Sequence, residues 1–172
     1  MSKKSAQNKK ASQQRLLASR CSLKEKTPKM VDISEKPVIR REATAEGRII
    51  LRKSTIKRIE SGKIEKGNPI QIASVGAILA VKTTPQHLMM CHPIPIESSN
   101  VDFVVKEDTI TARVTVVARS KTGVEMEALN AVACALLNIW DVVKKYEKDE
   151  NGQYLEARIE GIHVVEKIKG GK

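Results

Sequence analysis

Two stretches of this chain are apolar almost all round and too long to be strands. They are PIQIASVGAILAVKT at residues 69–83 and the run from Val124 to Tyr146. A surface helix normally carries one apolar stripe, so a helix apolar on most sides must be covered on most sides. The first is rich in Ala, Ser and Gly, which suits close approach of another backbone. The chain has 172 residues, long enough for one domain with a real core and short for two. Two such helices supply more apolar surface than one sheet face can cover. Part of that surface is therefore expected to be buried between subunits.

The remaining segments are of β type. Val38–Leu51 alternates roughly and reads as a strand, or as a hairpin turning at Glu46-Gly47. Ser54 can cap a short helix that runs to Ser61 and stops at Gly62. Lys63–Asn68 is a loop, and Pro69 suits the first turn of the helix that follows. Cys91-His92-Pro93-Ile94-Pro95 must be extended, because a residue before proline is pushed out of the α region. Strands follow at Ile94–Lys106 and Thr109–Arg119, with Glu107-Asp108 as their turn. After the loop Lys121–Gly123 and the long helix, Asn151-Gly152 marks a turn into a last strand, Tyr154–Ile168. Strand, two helices, two strands, helix, strand is the order of an α+β two-layer sandwich.

The net charge of +11 invites a nucleic-acid reading. Its distribution weakens that reading. Residues 1–30 hold nine Lys or Arg and one acid, Glu25; the rest of the chain is nearly balanced, with 22 basic and 19 acidic side chains. Residues 1–29 are expected to be a disordered basic extension, with a short helical stretch near Gln13–Ala18. Residues 30–172 are expected to form one catalytic domain. Met30 opens that domain and is a second candidate start. The aromatic side chains are Phe103, Trp140, Tyr146 and Tyr154, a poor set for stacking bases. No continuous run reaches the roughly 18 to 20 apolar residues of a membrane span. Cys21, Cys91 and Cys134 are odd in number and widely spaced, which suits a reducing, cytoplasmic setting.

Several side chains could carry chemistry. Asp141 and Lys144 lie three apart on the long helix and share a face. Asp141 follows ALLNIW, so partial desolvation is expected to raise its pKa, with Lys144 opposing the rise. The plain alternative is a solvated helix end with Asp141 pairing Lys145. Glu125-Met126-Glu127 opens the same helix, where acids are favoured by the dipole alone; only one of the two glutamates can face a given site. His92 sits on a rigid segment beside Cys91 and is either a donor to a phosphate or carbonyl, or an ordinary histidine. Lys66-Gly67 could hold a phosphate near a helix N-terminus, although GxxxxGK[ST] spacing is absent. Arg41, Lys167 and Lys169 are scattered cations. Metal ligands at suitable spacing and cofactor motifs are missing. The set suits acid/base chemistry on a phosphorylated substrate.

Several segments, in order, resemble one family. They are MVDISEKPVIRREATAEG at Met30–Gly47, EKG at Glu65–Gly67, MCHPIPI at Met90–Ile96, KTGVEMEAL at Lys121–Leu129, IWDVVK at Ile139–Lys144 and VVEKIKGG at Val164–Gly171. Together they are similar to molybdenum-cofactor biosynthesis protein C, the cyclic pyranopterin monophosphate synthase family. The resemblance implies a ferredoxin-like subunit in a homohexamer, a trimer of dimers, with the active site at the dimer interface. It implies conversion of 3′,8-cyclo-7,8-dihydro-GTP to cyclic pyranopterin monophosphate with release of pyrophosphate, and no redox cofactor or metal. It assigns catalysis to Asp141 and Lys144, and substrate binding to Met90, Cys91, His92, Glu125, Met126, Glu127, Arg41, Lys66 and Lys167. Lys169 competes with Lys167 for the last position. An interface site raises the expectation that Lys66 and Asp141 come from different subunits. The chain departs from the family at Asn68, commonly Asp, and Thr83, commonly basic.

Overall fold

The computed structural model describes residues 27–170. The extension expected over residues 1–29 and its short helix lie outside the described residues, apart from Thr27–Lys29. The elements are β1 (Ile39–Ile50), α1 (Lys53–Glu60), α2 (Pro69–His87), β2 (Ile96–Val105), β3 (Thr109–Ser120), α3 (Glu125–Glu147) and β4 (Arg158–Lys169). The four strands form one antiparallel sheet in the order β2-β3-β1-β4. This is the α+β two-layer sandwich expected from the element order, in the ferredoxin-like form that the resemblance implied.

Alternation along the two central strands sets the layers. Ala43, Ala45 and Ile49 on β1, and Ile110, Ala112, Val114, Val116 and Ala118 on β3, are buried against the helices. Their neighbours Thr44, Glu46, Arg113 and Thr115 point to the open face, where Thr44 and Thr115 share a 2.9 Å hydroxyl hydrogen bond. Small residues on both central strands let α3 lie close to the sheet. Gly47 shows how close: a Cβ there would stand 2.7 Å from Ile162 Cγ1 and 3.0 Å from Val132 Cγ1. That approach explains the glycine, and it corrects the hairpin alternative. β1 runs through Glu46-Gly47 as one 12-residue strand, with register shifts against β4 between Thr44 and Ala45 and between Glu46 and Arg48.

α3 is the central helix. Ala128, Ala131, Val132, Ala135, Leu136, Ile139, Val142 and Val143 recur at the 3.6 period and are all buried. By length and composition alone it could cross a membrane, but half of its most apolar window is buried inside this fold. α2 buries a narrower stripe of Ala73, Ala77, Ala80, Val81 and Thr84. Asn130 on α3 ties the two helices by donating to Ala80 O at 3.0 Å and Thr84 Oγ1 at 3.2 Å. The opposite side of α2 leaves Ile72, Val75, Ile78 and Leu79 exposed within one chain.

Three boundaries differ from expectation. α2 continues past Thr83 to His87 because Pro85 removes a single N–H and the last turn still closes, Leu88 N donating to Thr84 O at 2.9 Å. Ser54 does not cap α1. Arg52 holds the cap position without using its own side chain; its N–H instead donates to both carboxylate oxygens of Glu147 at 3.2 Å. Glu147 is fully buried at the end of α3, so the cap comes from 95 residues away. β4 begins at Arg158 rather than Tyr154, whose ring instead packs edge-on against Trp140 at 5.7 Å.

Candidate active site

The chemistry-bearing side chains fall into two clusters near opposite ends of α3. The first gathers at its N-terminus. Met90, Cys91, His92, Ile94, Thr122, Gly123, Met126 and Glu127 line a cavity of about 120 Å³. The prolines keep Cys91–Pro95 extended, which carries His92 to the helix start. Glu127 is 2% exposed, and its Oε2 has no hydrogen-bond partner. Burial, with Glu125 adding repulsion, pushes its carboxyl above the usual range despite a backbone hydrogen bond. Burial also raises the Cys91 thiol, and the Glu127 charge adds to that. Here is the desolvated carboxyl that the sequence reading expected at Asp141.

Glu125, two residues earlier, points elsewhere. Burial pulls its carboxyl upward, but an ion pair with Lys167, a backbone hydrogen bond and the nearby Arg41 charge outweigh it, and it lies below the usual range. Arg41 is held in place by donating to Ser120 O at 3.3 Å and Lys121 O at 3.2 Å. β4 pairs Lys167 with Ala43 and Lys169 with Arg41, and the ammonium that reaches Glu125 is that of Lys167. The sequence reading missed Asp32. The Ser34 side chain and then its N–H, which donates to the carboxylate at 2.8 Å, lower the Asp32 pKa, aided by the Lys121 and His92 charges. Lys121 anchors the segment by donating to Ser34 O at 2.6 Å. The signal was present in the KTG loop, but only the fold brings it to the MVDIS segment.

The second cluster lies on the last turns of α3. Asp141 stands between two lysines: Lys144 Nζ at 2.7 Å from Oδ1 and Lys66 Nζ at 2.8 Å from Oδ2. Lys66 also donates to the Asp141 carbonyl at 3.0 Å. Hydrogen bonds from Lys144 and then Lys66 hold the Asp141 carboxyl at about 2, and Lys144 is raised in return. This corrects the expected upward shift. Trp140 turns inward while Asp141 projects outward, its side chain 56% exposed, so the two cations outweigh what desolvation there is. The i,i+4 pairing with Lys145 is also absent; Lys145 pairs with Glu65. Asp141 and Lys144 border an open depression of about 370 Å³ with Leu137, Trp140 and Ile159.

Lys66 and Asp141 pair within one chain. The two clusters, by contrast, are far apart. Glu127 and Asp141 are separated by fourteen residues of one continuous helix, roughly 21 Å along its axis. Elsewhere, a hollow of about 290 Å³ lined by Glu46, Arg48, Thr111 and His163 lies on the open sheet face, far from either cluster. Among the described residues, no three His, Cys, Asp or Glu side chains converge as a metal site. Asn68 caps α2, its Oδ1 accepting from Ile70 N at 2.9 Å and Gln71 N at 3.3 Å, a role Asp fills equally well.

Comparison with known proteins meets this geometry. A protein of Pyrococcus abyssi named probable cyclic pyranopterin monophosphate synthase is 56% identical over 145 residues, covering 84% of this chain and 91% of that protein. One of Sulfurisphaera tokodaii with the same name is 53% identical, covering 82% of this chain and 93% of its own length. One of Methanothermobacter thermautotrophicus, named probable cyclic pyranopterin monophosphate synthase accessory protein, is 53% identical over 84% of this chain and 91% of its own. The pattern that defines the MoaC family matches residues 30–170, which include both clusters and every strand and helix described. The chain belongs to the MoaC family.

Proposed function

We propose that the protein is a cyclic pyranopterin monophosphate synthase of molybdenum cofactor biosynthesis. It converts 3′,8-cyclo-7,8-dihydro-GTP to cyclic pyranopterin monophosphate and releases pyrophosphate. The observation that carries this reading is the joining of that name in close, nearly full-length relatives to two clusters with complementary chemistry. One is cationic around an ionised carboxylate; the other holds a buried carboxyl, raised by burial, on the same cavity as a histidine.

The geometry divides the roles. Asp141 at a pKa of about 2 stays ionised at neutral pH, so it does not donate a proton there. Its charge holds Lys144 protonated and draws the Lys66 and Lys144 ammonium groups to one point, where they can neutralise phosphate oxygens and the departing pyrophosphate. Lys144, raised by Asp141, stays cationic beside a substrate phosphate, which favours the charged form further. Glu127, its carboxyl raised by burial, is a candidate for proton transfer, with His92 and Cys91 on the same cavity. Arg41 and Lys167 flank that cavity and suit further phosphate contacts. The conversion moves protons and phosphate and calls for no redox cofactor.

The active site is completed by a second copy. The ~21 Å between the clusters supports this, and the exposed Ile72, Val75, Leu79 and Leu137 offer an apolar face for contact. A homohexamer built as a trimer of dimers is consistent with that face. A base-binding role is disfavoured by the sheet itself: β1 and β3 carry no aromatic residue, whereas ferredoxin-like RNA binders stack bases on central-strand aromatics. The test is direct. Purified protein incubated with the cyclised GTP derivative should release pyrophosphate and form the pterin product. A folded protein that leaves the substrate unchanged would refute the reading.

A further inference from the structure

The two lysines that flank Asp141 are held in different ways. Lys144 lies on α3 itself, three residues on, so the helix places it. Lys66 lies on a loop 75 residues away in sequence, and a flexible lysine reaches a fixed point only if its backbone is held. Ile64, 7% exposed, anchors one side of that loop in the core. Gly67 turns the chain at φ 102°, a left-handed conformation open to glycine, and its N–H closes on Ile64 O at 3.1 Å.

What ties this loop to the end of α3 is Tyr146. The Glu65 N–H donates to the Tyr146 hydroxyl oxygen at 3.2 Å. The ring cannot shift easily, because it packs on the core and lies under the Arg58 guanidinium at 5.2 Å. The Glu65 carboxylate adds an exposed ion pair with Lys145, a kind of contact that contributes little. We infer that Tyr146 is a positioning residue for Lys66: its hydroxyl fixes the Glu65-Lys66-Gly67 turn so that Lys66 meets Asp141. The inference rests on the proposed role of Lys66 in the site, but its decisive test does not use turnover.

The test labels the full chain with a lysine-acylating reagent and follows Lys66 and Lys144 separately by mass spectrometry. In Tyr146→Phe, which keeps the ring and loses only the hydroxyl, Lys66 should be acylated roughly three- to tenfold faster, the effect of one hydrogen bond. Lys144 should react at the wild-type rate. An unchanged Lys66 rate, or an equal rise at both lysines, would overturn the inference, the second result meaning general loosening. Glu65→Gln keeps the amide donor and removes the ion pair; it should change Lys66 labelling less than twofold. A Glu65→Gln effect as large as that of Tyr146→Phe would assign the staple to the ion pair instead. In turnover, Tyr146→Phe should lower kcat/KM by a factor like the labelling change, and should add nothing to Lys66→Ala. Multiplying losses in the double variant would contradict action through Lys66. Absence of turnover in the wild-type protein would leave the labelling result readable.

Discussion

Asp141 and Glu127 are two carboxyls on one helix whose surroundings push them in opposite directions. Two ammonium groups hold Asp141 at about 2, so its charge is present above its ordinary value near 3.8 and lost only as pH falls through about 2. Replacing it by Asn leaves Lys66 and Lys144 facing each other without a counter-charge. We expect Asp141→Asn to lower kcat/KM by about 10²- to 10⁴-fold, with a thermal midpoint close to wild type because the side chain is exposed. A variant within tenfold of wild type in a steady-state pyrophosphate-release assay would remove Asp141 from the chemistry. Glu127 behaves in the reverse sense. Burial raises its folded-state pKa above the ordinary 4.5, so the folded protein holds that proton more tightly than the unfolded chain. The stability this contributes is fully present below about pH 4.5 and is lost as pH rises through the raised value. Glu127→Gln keeps the shape and has no proton to lose. It should be more stable than wild type to urea at pH 8, no more stable at pH 4, and about 10²- to 10⁴-fold less active. Equal urea midpoints at pH 8 would show that Glu127 is not strained by its ionisation.

Among the elements, those whose reasons are local were legible in sequence, and those whose reasons are distant were not. The long helix, the β2–β3 hairpin and the proline-held segment follow from periodicity, a two-residue turn and the steric rule before proline. α1 was misread at its start because its capping carboxylate, Glu147, is contributed by another helix. Gly47 was open to a turn reading because its neighbours across the layer, Val132 and Ile162, are far away in sequence. The site shows the same division. The residues assigned by resemblance do cluster, yet neither the opposite pKa directions of Asp141 and Glu127 nor the pairing of Lys66 with Asp141 within one chain could be read before the fold placed them. α2 offers a test of a local reason. Its first turn has no acidic residue, and Asn68 satisfies two of its N–H groups. Asn68→Ala should cost about 1 kcal/mol in equilibrium urea unfolding and Asn68→Asp close to nothing. Because Asn68 adjoins the Lys66 turn, a larger Ala effect on KM than on stability would indicate that the cap also steadies that turn.

At the scale of the whole molecule, one helix links two half-sites that it also keeps apart. If each complete site joins the Asp141 cluster of one chain to the Glu127–His92 cluster of its partner, a two-fold dimer has two equivalent sites. Mixing then has a calculable outcome. Asp141→Ala and His92→Ala chains, unfolded together and refolded, should give mixed dimers for half of the population. Each mixed dimer carries one site with both lesions and one with neither. The mixture should therefore recover about a quarter of wild-type activity, although either variant alone is nearly inactive. Asp141→Ala mixed with Lys66→Ala should recover nothing, since the structure pairs those side chains within one chain and every site in the mixture then lacks at least one of them. Mass spectrometry of the intact oligomers under native conditions would confirm mixing. Verified mixed oligomers without recovery in the first combination would break the shared-site arrangement. Recovery in the second would mean that Lys66 serves the partner's site rather than the Asp141 it touches in its own chain.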